Sequence, residues 1–144
     1  MESIGGACVG VEWENKSDYD LRCQLENLEF TLEVKLDKMA SVTGNIAIEF
    51  YNPYKGADSG LGATKADIWA HLVYLNKELT VWFCSTDNLK KWIELNKPNK
   101  LITVGGDKNS SMYLYSRDYI LEEVFVRVDD LVGEELLETI RRLL

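Results

Sequence analysis

Between Asp20 and Tyr51 the chain alternates apolar and polar residues in three runs: DLRCQL (20–25), EFTLEVKLD (29–37) and NIAIEFY (45–51). Period two is the mark of strands with one face buried. In the first run Leu21, Cys23 and Leu25 share a face, and Asp20, Arg22 and Gln24 share the other. In the second, Phe30, Leu32, Val34 and Leu36 are expected to face the core while Thr31, Glu33, Lys35 and Asp37 face away. Residues 1–17 are too rich in glycine for a regular helix. After the loop NPYKGADSGLG the pattern changes. Thr64 with Asp67 three residues later resembles a capping box, which predicts a helix over 64–77 carrying Ile68, Trp69, Leu72 and Val73. The run LTVWFC (79–84) reads as a buried strand, and Ser85 or Thr86 as the cap of a helix over DNLKKWIEL. Strand candidates LITV (101–104) and SMYLYS (111–116) flank GGDKN, and GEELLETIRRLL closes the chain as a helix with acids early and Arg141 and Arg142 late. The expected architecture is one domain over 1–144, α/β or α+β, with a mixed sheet of about four to six strands flanked by helices and a crossover helix at 64–77.

The first two strands fix their own register. Closing the hairpin about Glu26-Asn27 opposes Leu25 to Leu28, Cys23 to Phe30, Leu21 to Leu32, and Asp20 to Glu33. Apolar meets apolar and polar meets polar at each pair, and a slip of one residue would undo the match. Opposed strand residues hold their Cβ atoms roughly 4.5–5.5 Å apart. Asp20 and Glu33 are therefore expected to leave one face side by side, with Lys35 one pleat further along. Two like charges so placed cost stability unless a cation lies between them. Mg²⁺ suits that role, because it needs only one or two protein carboxylates and completes its shell with water and phosphate.

Asp20, twelve residues, then Glu33-Val34-Lys35 resembles the core of the PD-(D/E)XK, or restriction-endonuclease-like, nuclease superfamily. Its typical core is a helix, three antiparallel strands, a helix and a strand, which residues 18–84 are expected to follow, so the likeness covers about half the chain. The resemblance implies that Asp20 and Glu33 ligate Mg²⁺, for which Mn²⁺ substitutes, with the Val34 carbonyl as a further ligand, while Lys35 positions or activates the attacking water. Two departures stand out: Tyr19 replaces the proline that names the motif, and the leading helix that often carries another acid is poorly formed. Glu2, Glu12 and Glu14 are the candidates for that acid, and Asp18 is the rival to Asp20, with the same parity but set opposite Lys35. The segment TGNIAIEFYNPYKGADSGLGATKADIWAH is also similar to stand-alone phage and bacterial members. On that third strand Ala47 and Glu49 share a face, which makes Glu49 either an added acid at the site or a strand-end carboxylate holding Lys55 or Lys65. Lys38, Lys55 and Lys65 are the candidate phosphate contacts.

Composition narrows the partners. The chain has 144 residues, 46% hydrophobic and 28% charged, with no apolar run approaching a membrane span and no signal-peptide pattern at its start. Cys8, Cys23 and Cys84 are an odd, widely spaced set, expected as core thiols in a reducing compartment, here the cytoplasm of a bacterial or phage-infected cell. Net charge is −8, which argues against non-specific nucleic-acid binding. Residues 118–138 hold eight acids and one base, so the rest of the chain is nearly neutral and free to face phosphate. His71, the only histidine, excludes His-pair mechanisms and reads as surface or packing. Gly5 to Gly10 has no following Lys-Ser/Thr and is no phosphate loop. Trp69, Trp82 and Trp92 have core-facing spacing. The expected function is a metal-dependent endonuclease acting on DNA, alone or as a homodimer. Its alternatives are a catalytically inactive nucleic-acid- or protein-binding module on the same fold and an RNA-directed nuclease.

Overall fold

The structure, a computed structural model, describes residues 8–13, 19–104 and 110–144, with side chains from 19 to 103 and from 110 onwards. The elements are β1 (Cys8–Trp13), β2 (Leu21–Leu25), β3 (Leu28–Asp37), α1 (Ala40–Thr43), β4 (Asn45–Asn52), β5 (Ala57–Asp58), a 3-10 turn (Gly60–Gly62), β6 (Ile68–Leu75), β7 (Glu78–Ser85), α2 (Thr86–Leu95), β8 (Lys100–Val104), β9 (Ser110–Ser116), α3 (Arg117–Glu123), β10 (Val126–Arg127) and α4 (Gly133–Leu143). The fold is mixed α+β. Six strands form one sheet in the order β1-β2-β3-β6-β7-β10, and four form a second in the order β5-β4-β9-β8.

The hairpin register is the one the alternation demands: Leu21 opposes Leu32, Cys23 opposes Phe30 and Leu25 opposes Leu28. The Asp20 N–H extends the ladder by one bond, donating to the Leu32 carbonyl at 2.9 Å. Residues 8–13, within the glycine-rich segment 1–17 for which no element is predicted, form an antiparallel edge strand against β2.

The largest correction concerns 64–77. In place of a helix stands β6, parallel to β3 on one side and antiparallel to β7 on the other. Ile68, Trp69, Ala70, His71 and Val73 are all 2% exposed or less. A central strand covered on both faces loses its alternation and reads as a continuous apolar run. The supposed capping residues serve other ends: Asp67 accepts from the Thr31 N–H at 2.9 Å and from its hydroxyl at 3.2 Å. The β6–β7 turn uses Asn76 and Lys77, both with positive φ (51° and 68°), the requirement of a two-residue type I′ hairpin. The crossover between parallel β3 and β6 is likewise no helix but α1, β4, β5 and the 3-10 turn, a connection long enough to seed the second sheet.

Both faces of the six-stranded sheet are covered. On one, Leu136, Leu137 and Ile140 of α4 pack on Cys23, Leu25, Phe30, Leu32, Ile68 and Phe83. On the other, Trp69, Val73 and Cys84 meet Ile46 and Ile48 of β4, Tyr115 of β9, Leu89 of α2 and Ile120 of α3. The polar face of β3 is therefore turned toward a second layer and not toward water. Cys23 and Cys84 are buried, and burial pushes the Cys84 thiol well up, as inert core thiols require. Ser85 caps α2 by accepting from the Asn88 N–H at 3.3 Å. No helix among the described residues is long and apolar enough to cross a membrane.

The 3-10 turn is pressed onto β4 so closely that two of its positions admit no side chain. A Cβ at Gly62 would overlap the Phe50 carbonyl oxygen, and one at Gly60, where φ is +49°, would overlap that of Glu49. Gly62→Ala is expected to destabilise the protein by about 1–3 kcal/mol, measured by urea unfolding, because backbone must move to admit the methyl.

Candidate active site

Asp20 sits where β2 begins, and its Oδ2 accepts the Val34 N–H at 2.9 Å, just beyond the last β2–β3 pair. Glu33, on the neighbouring strand, is 7% exposed. Its Oε1 accepts the Thr64 hydroxyl at 2.9 Å, and its Oε2 lies 3.6 Å from the Lys35 ammonium. Asp20 lies close enough for its charge to act on Glu33. Burial and the Asp20 charge push the Glu33 carboxyl up, and the opposing pull of Thr64 and Lys35 does not cancel them. Lys35 is a third exposed and lies 6.0 Å from the centre of the Trp69 ring, so its ammonium is held between a carboxylate and an aromatic face.

This donor set fits a hard divalent cation. Two carboxylates converge, and the Val34 carbonyl lies on the same strand edge as its N–H, the edge that Asp20 faces. Among the described residues no group of three or more His, Cys, Asp or Glu side chains is placed to hold a metal. The remaining positions of an Mg²⁺ shell therefore fall to backbone oxygen, water and substrate, which Mg²⁺ favours. Of the N-terminal acids, Glu2 and Glu14 lie outside the described residues, as does Asp18. Glu12 stands on β1 opposite Arg22.

The other candidates separate. Lys38 and Glu49 line the same groove as Lys35, between β3 and the second sheet. Glu49 accepts the Ser110 hydroxyl at 2.7 Å. Lys55 lies on the exposed turn after β4, its N–H bonded to the Asn52 side chain at 3.0 Å. Lys65 lines a separate shallow pocket with Asp67, Ser85 and Asp87.

Two contributions escaped the sequence. Thr64, read as a helix cap, is the hydroxyl that orients Glu33. His71, read as surface or packing, is fully buried at the centre of a polar relay. The Trp69 indole N–H, which can only donate, bonds His71 Nδ1 at 3.1 Å. That fixes the ring proton on Nε2, which donates to Asp37 Oδ2 at 3.0 Å. Asp37 further accepts the N–H groups of Ala40 at 3.1 Å and Ala47 at 3.0 Å. Burial by itself would raise the Asp37 carboxyl, but these bonds outweigh it and hold it below the usual range. Asp37 is two residues from Lys35 on the same face of β3, so the relay ties the site strand to α1, β4 and β6. The parity of Asp37 with Glu33 and Lys35 was the one signal available.

No protein-family model matches this chain, and no curated protein or solved structure matches it.

Proposed function

We propose that the chain is a metal-dependent phosphodiesterase of the restriction-endonuclease-like kind, acting on DNA. The observation that carries the reading is the meeting of Asp20 and Glu33 beside the Lys35 ammonium, in a setting where the charged form of Glu33 is disfavoured. Carboxyl groups perturbed by burial and a like charge are the kind that gather at functional sites. The strand expected third in the resembling core, 45–51, lies in the second sheet; support for the reading comes instead from the antiparallel series β1-β2-β3, with Asp20 just ahead of β2 and Glu33 and Lys35 on β3. The expected crossover helix is replaced by α1 and the second sheet.

Asp20 and Glu33 would hold the metal, with the Val34 carbonyl beside them. When bound, Mg²⁺ supplies Lewis-acid polarisation of a phosphoryl oxygen and a more acidic water. The chain's own residues do the rest. The Val34 N–H and the Thr64 hydroxyl fix the two carboxyl groups in orientation, which removes a reorganisation cost at reaction. Lys35 orients the incoming water or neutralises charge developing on the phosphate as the new P–O bond forms and the bond to the leaving oxygen breaks. The net charge of −8 favours, as the second reading, a binding module without catalysis on the same framework.

Cleavage of end-labelled DNA by the purified protein separates the two. Hydrolysis in Mg²⁺ or Mn²⁺, absent in EDTA, is expected of the wild type. Lys35→Ala is expected to lower it about 10²–10³-fold, the scale of a lost transition-state donor, with the fold retained and the thermal melt only modestly lowered, since one cation beside the acid pair is lost. Equal rates in wild type and variant would remove Lys35 from the mechanism.

A further inference from the structure

Glu33 and Trp69 are opposed across the parallel β3–β6 pair, so both side chains leave the sheet on the side that α2 covers. Leu89 of α2 packs there with Trp69, and the next residue, Lys90, reaches back toward the acid pair. Its ammonium donates to the Thr64 carbonyl at 3.5 Å, and the Thr64 hydroxyl donates to Glu33 Oε1 at 2.9 Å. Glu33 is thus linked to two cations. Lys35 lies beside Oε2 at 3.6 Å, and Lys90 lies beyond Oε1 with Thr64 between.

The two lysines are held differently. Among the described lysines they are the half-buried pair, the rest being exposed. Lys35 has its carboxylate. Lys90, among the described residues, has one long bond to a neutral carbonyl and no carboxylate at ion-pair distance. Acids on the same segments are placed elsewhere: Asp67 accepts from Thr31, and Asp87 lines the shallow pocket of Lys65 at the first turn of α2. A cation drawn partly out of water without an acid beside it has lost hydration that an anion would return.

We propose that Lys90 binds the substrate phosphate next to the one attacked at Glu33 and Lys35, on the side away from Lys35. The inference rests on the phosphodiesterase reading and extends its site by one phosphate. An ammonium has three donors, so one can stay on the Thr64 carbonyl while the others meet phosphate oxygens. Such a contact positions the strand and carries no sequence information.

Lys90→Gln tests it, because the amide still donates to the Thr64 carbonyl while the charge is gone. Binding to a DNA strand is measured in EDTA, so that nothing is cut, across a series of salt concentrations. The variant is expected to bind about tenfold or more weakly, the scale of one charged hydrogen bond. Its slope of log K against log salt should be shallower by about 0.7–0.9, the share of one phosphate. Lys90→Arg, which keeps the charge, should retain most of the affinity and the slope. In Mg²⁺, Lys90→Gln should raise KM for cleavage by a similar factor and leave kcat within about twofold, as loss of uniform binding does. Unchanged affinity and slope overturn the proposal. So does a fall in kcat at constant KM, which would make Lys90 a prop for Thr64 and Glu33. A wild type that binds no DNA strand overturns it together with the phosphodiesterase reading. Failure of that reading alone shows as absence of Mg²⁺-dependent hydrolysis while the salt slope still depends on Lys90.

Discussion

Glu33→Gln is expected to abolish metal-dependent cleavage and, measured in EDTA at neutral pH, to raise the melting temperature above that of the wild type. The two effects have one origin. In the wild type a carboxylate is held at 7% exposure beside Asp20, and its carboxyl is pushed up by burial and by that neighbouring charge. A group whose folded-state pKa is raised contributes stability fully below its unfolded value, about pH 4, and loses it as pH rises through the folded value. At neutral pH the wild type has lost that contribution and the amide has not. The amide of the variant would still accept from Thr64 and would donate its N–H to Asp20, replacing a repulsion with a hydrogen bond. The stability advantage should therefore shrink on acidification toward about pH 4. Millimolar Mg²⁺ should raise the wild-type melt in proportion to saturation and leave that of Glu33→Gln unmoved. A variant less stable than wild type at neutral pH in EDTA would mean that the pair is a structural hydrogen bond and not a site held open for a cation.

The residues of this pair were legible because β2 keeps a solvent side. Arg22 and Gln24 are exposed while Cys23 and Leu25 are buried, so alternation in β2 survived and set the register with β3. β6 has no solvent side, and its apolar run with a Thr and an Asp ahead of it satisfied a helical pattern equally well. The Asn76-Lys77 turn was the feature that would have separated the two readings, since a left-handed pair between apolar runs belongs to a hairpin. In β1, Val9, Val11 and Trp13 do alternate with Gly10 and Glu12, but the surrounding glycines hid it. The membership of β4 in a second sheet could not be read at all. Alternation identifies a strand but not its neighbour, and β4 pairs with β9, whose Ser110 lies 61 positions beyond its partner Glu49. The same distance problem hid Thr64, whose partner Glu33 is 31 positions earlier.

His71→Ala is expected to cost about 1–3 kcal/mol of stability or more at neutral pH, the loss seen when a buried hydrogen-bonding group is left without its partner. His71 is fully buried, and the Asp37 side chain is 8% exposed. Without the imidazole, Asp37 keeps the Ala40 and Ala47 N–H groups but not the strongest of the bonds that hold its carboxyl down, and the Trp69 indole N–H loses its acceptor. The pH dependence gives the opposite sign to Glu33→Gln. A group whose folded pKa is depressed contributes stability above its unfolded value, about 4, and loses it as pH falls through the folded value. In the variant the first of the bonds that hold the carboxyl down is lost, so the contribution at neutral pH is smaller. The gap between wild type and His71→Ala in urea unfolding should therefore be widest at neutral pH and begin to narrow below about pH 4, closing only once Asp37 is protonated in the folded wild type as well. His71→Gln, whose amide can reach one of the two partners, should recover part of the loss. Because the relay anchors the Trp69 ring against which Lys35 lies, His71→Gln should lower kcat for DNA cleavage more than it raises KM, whereas a residue that merely packs would leave that ratio alone.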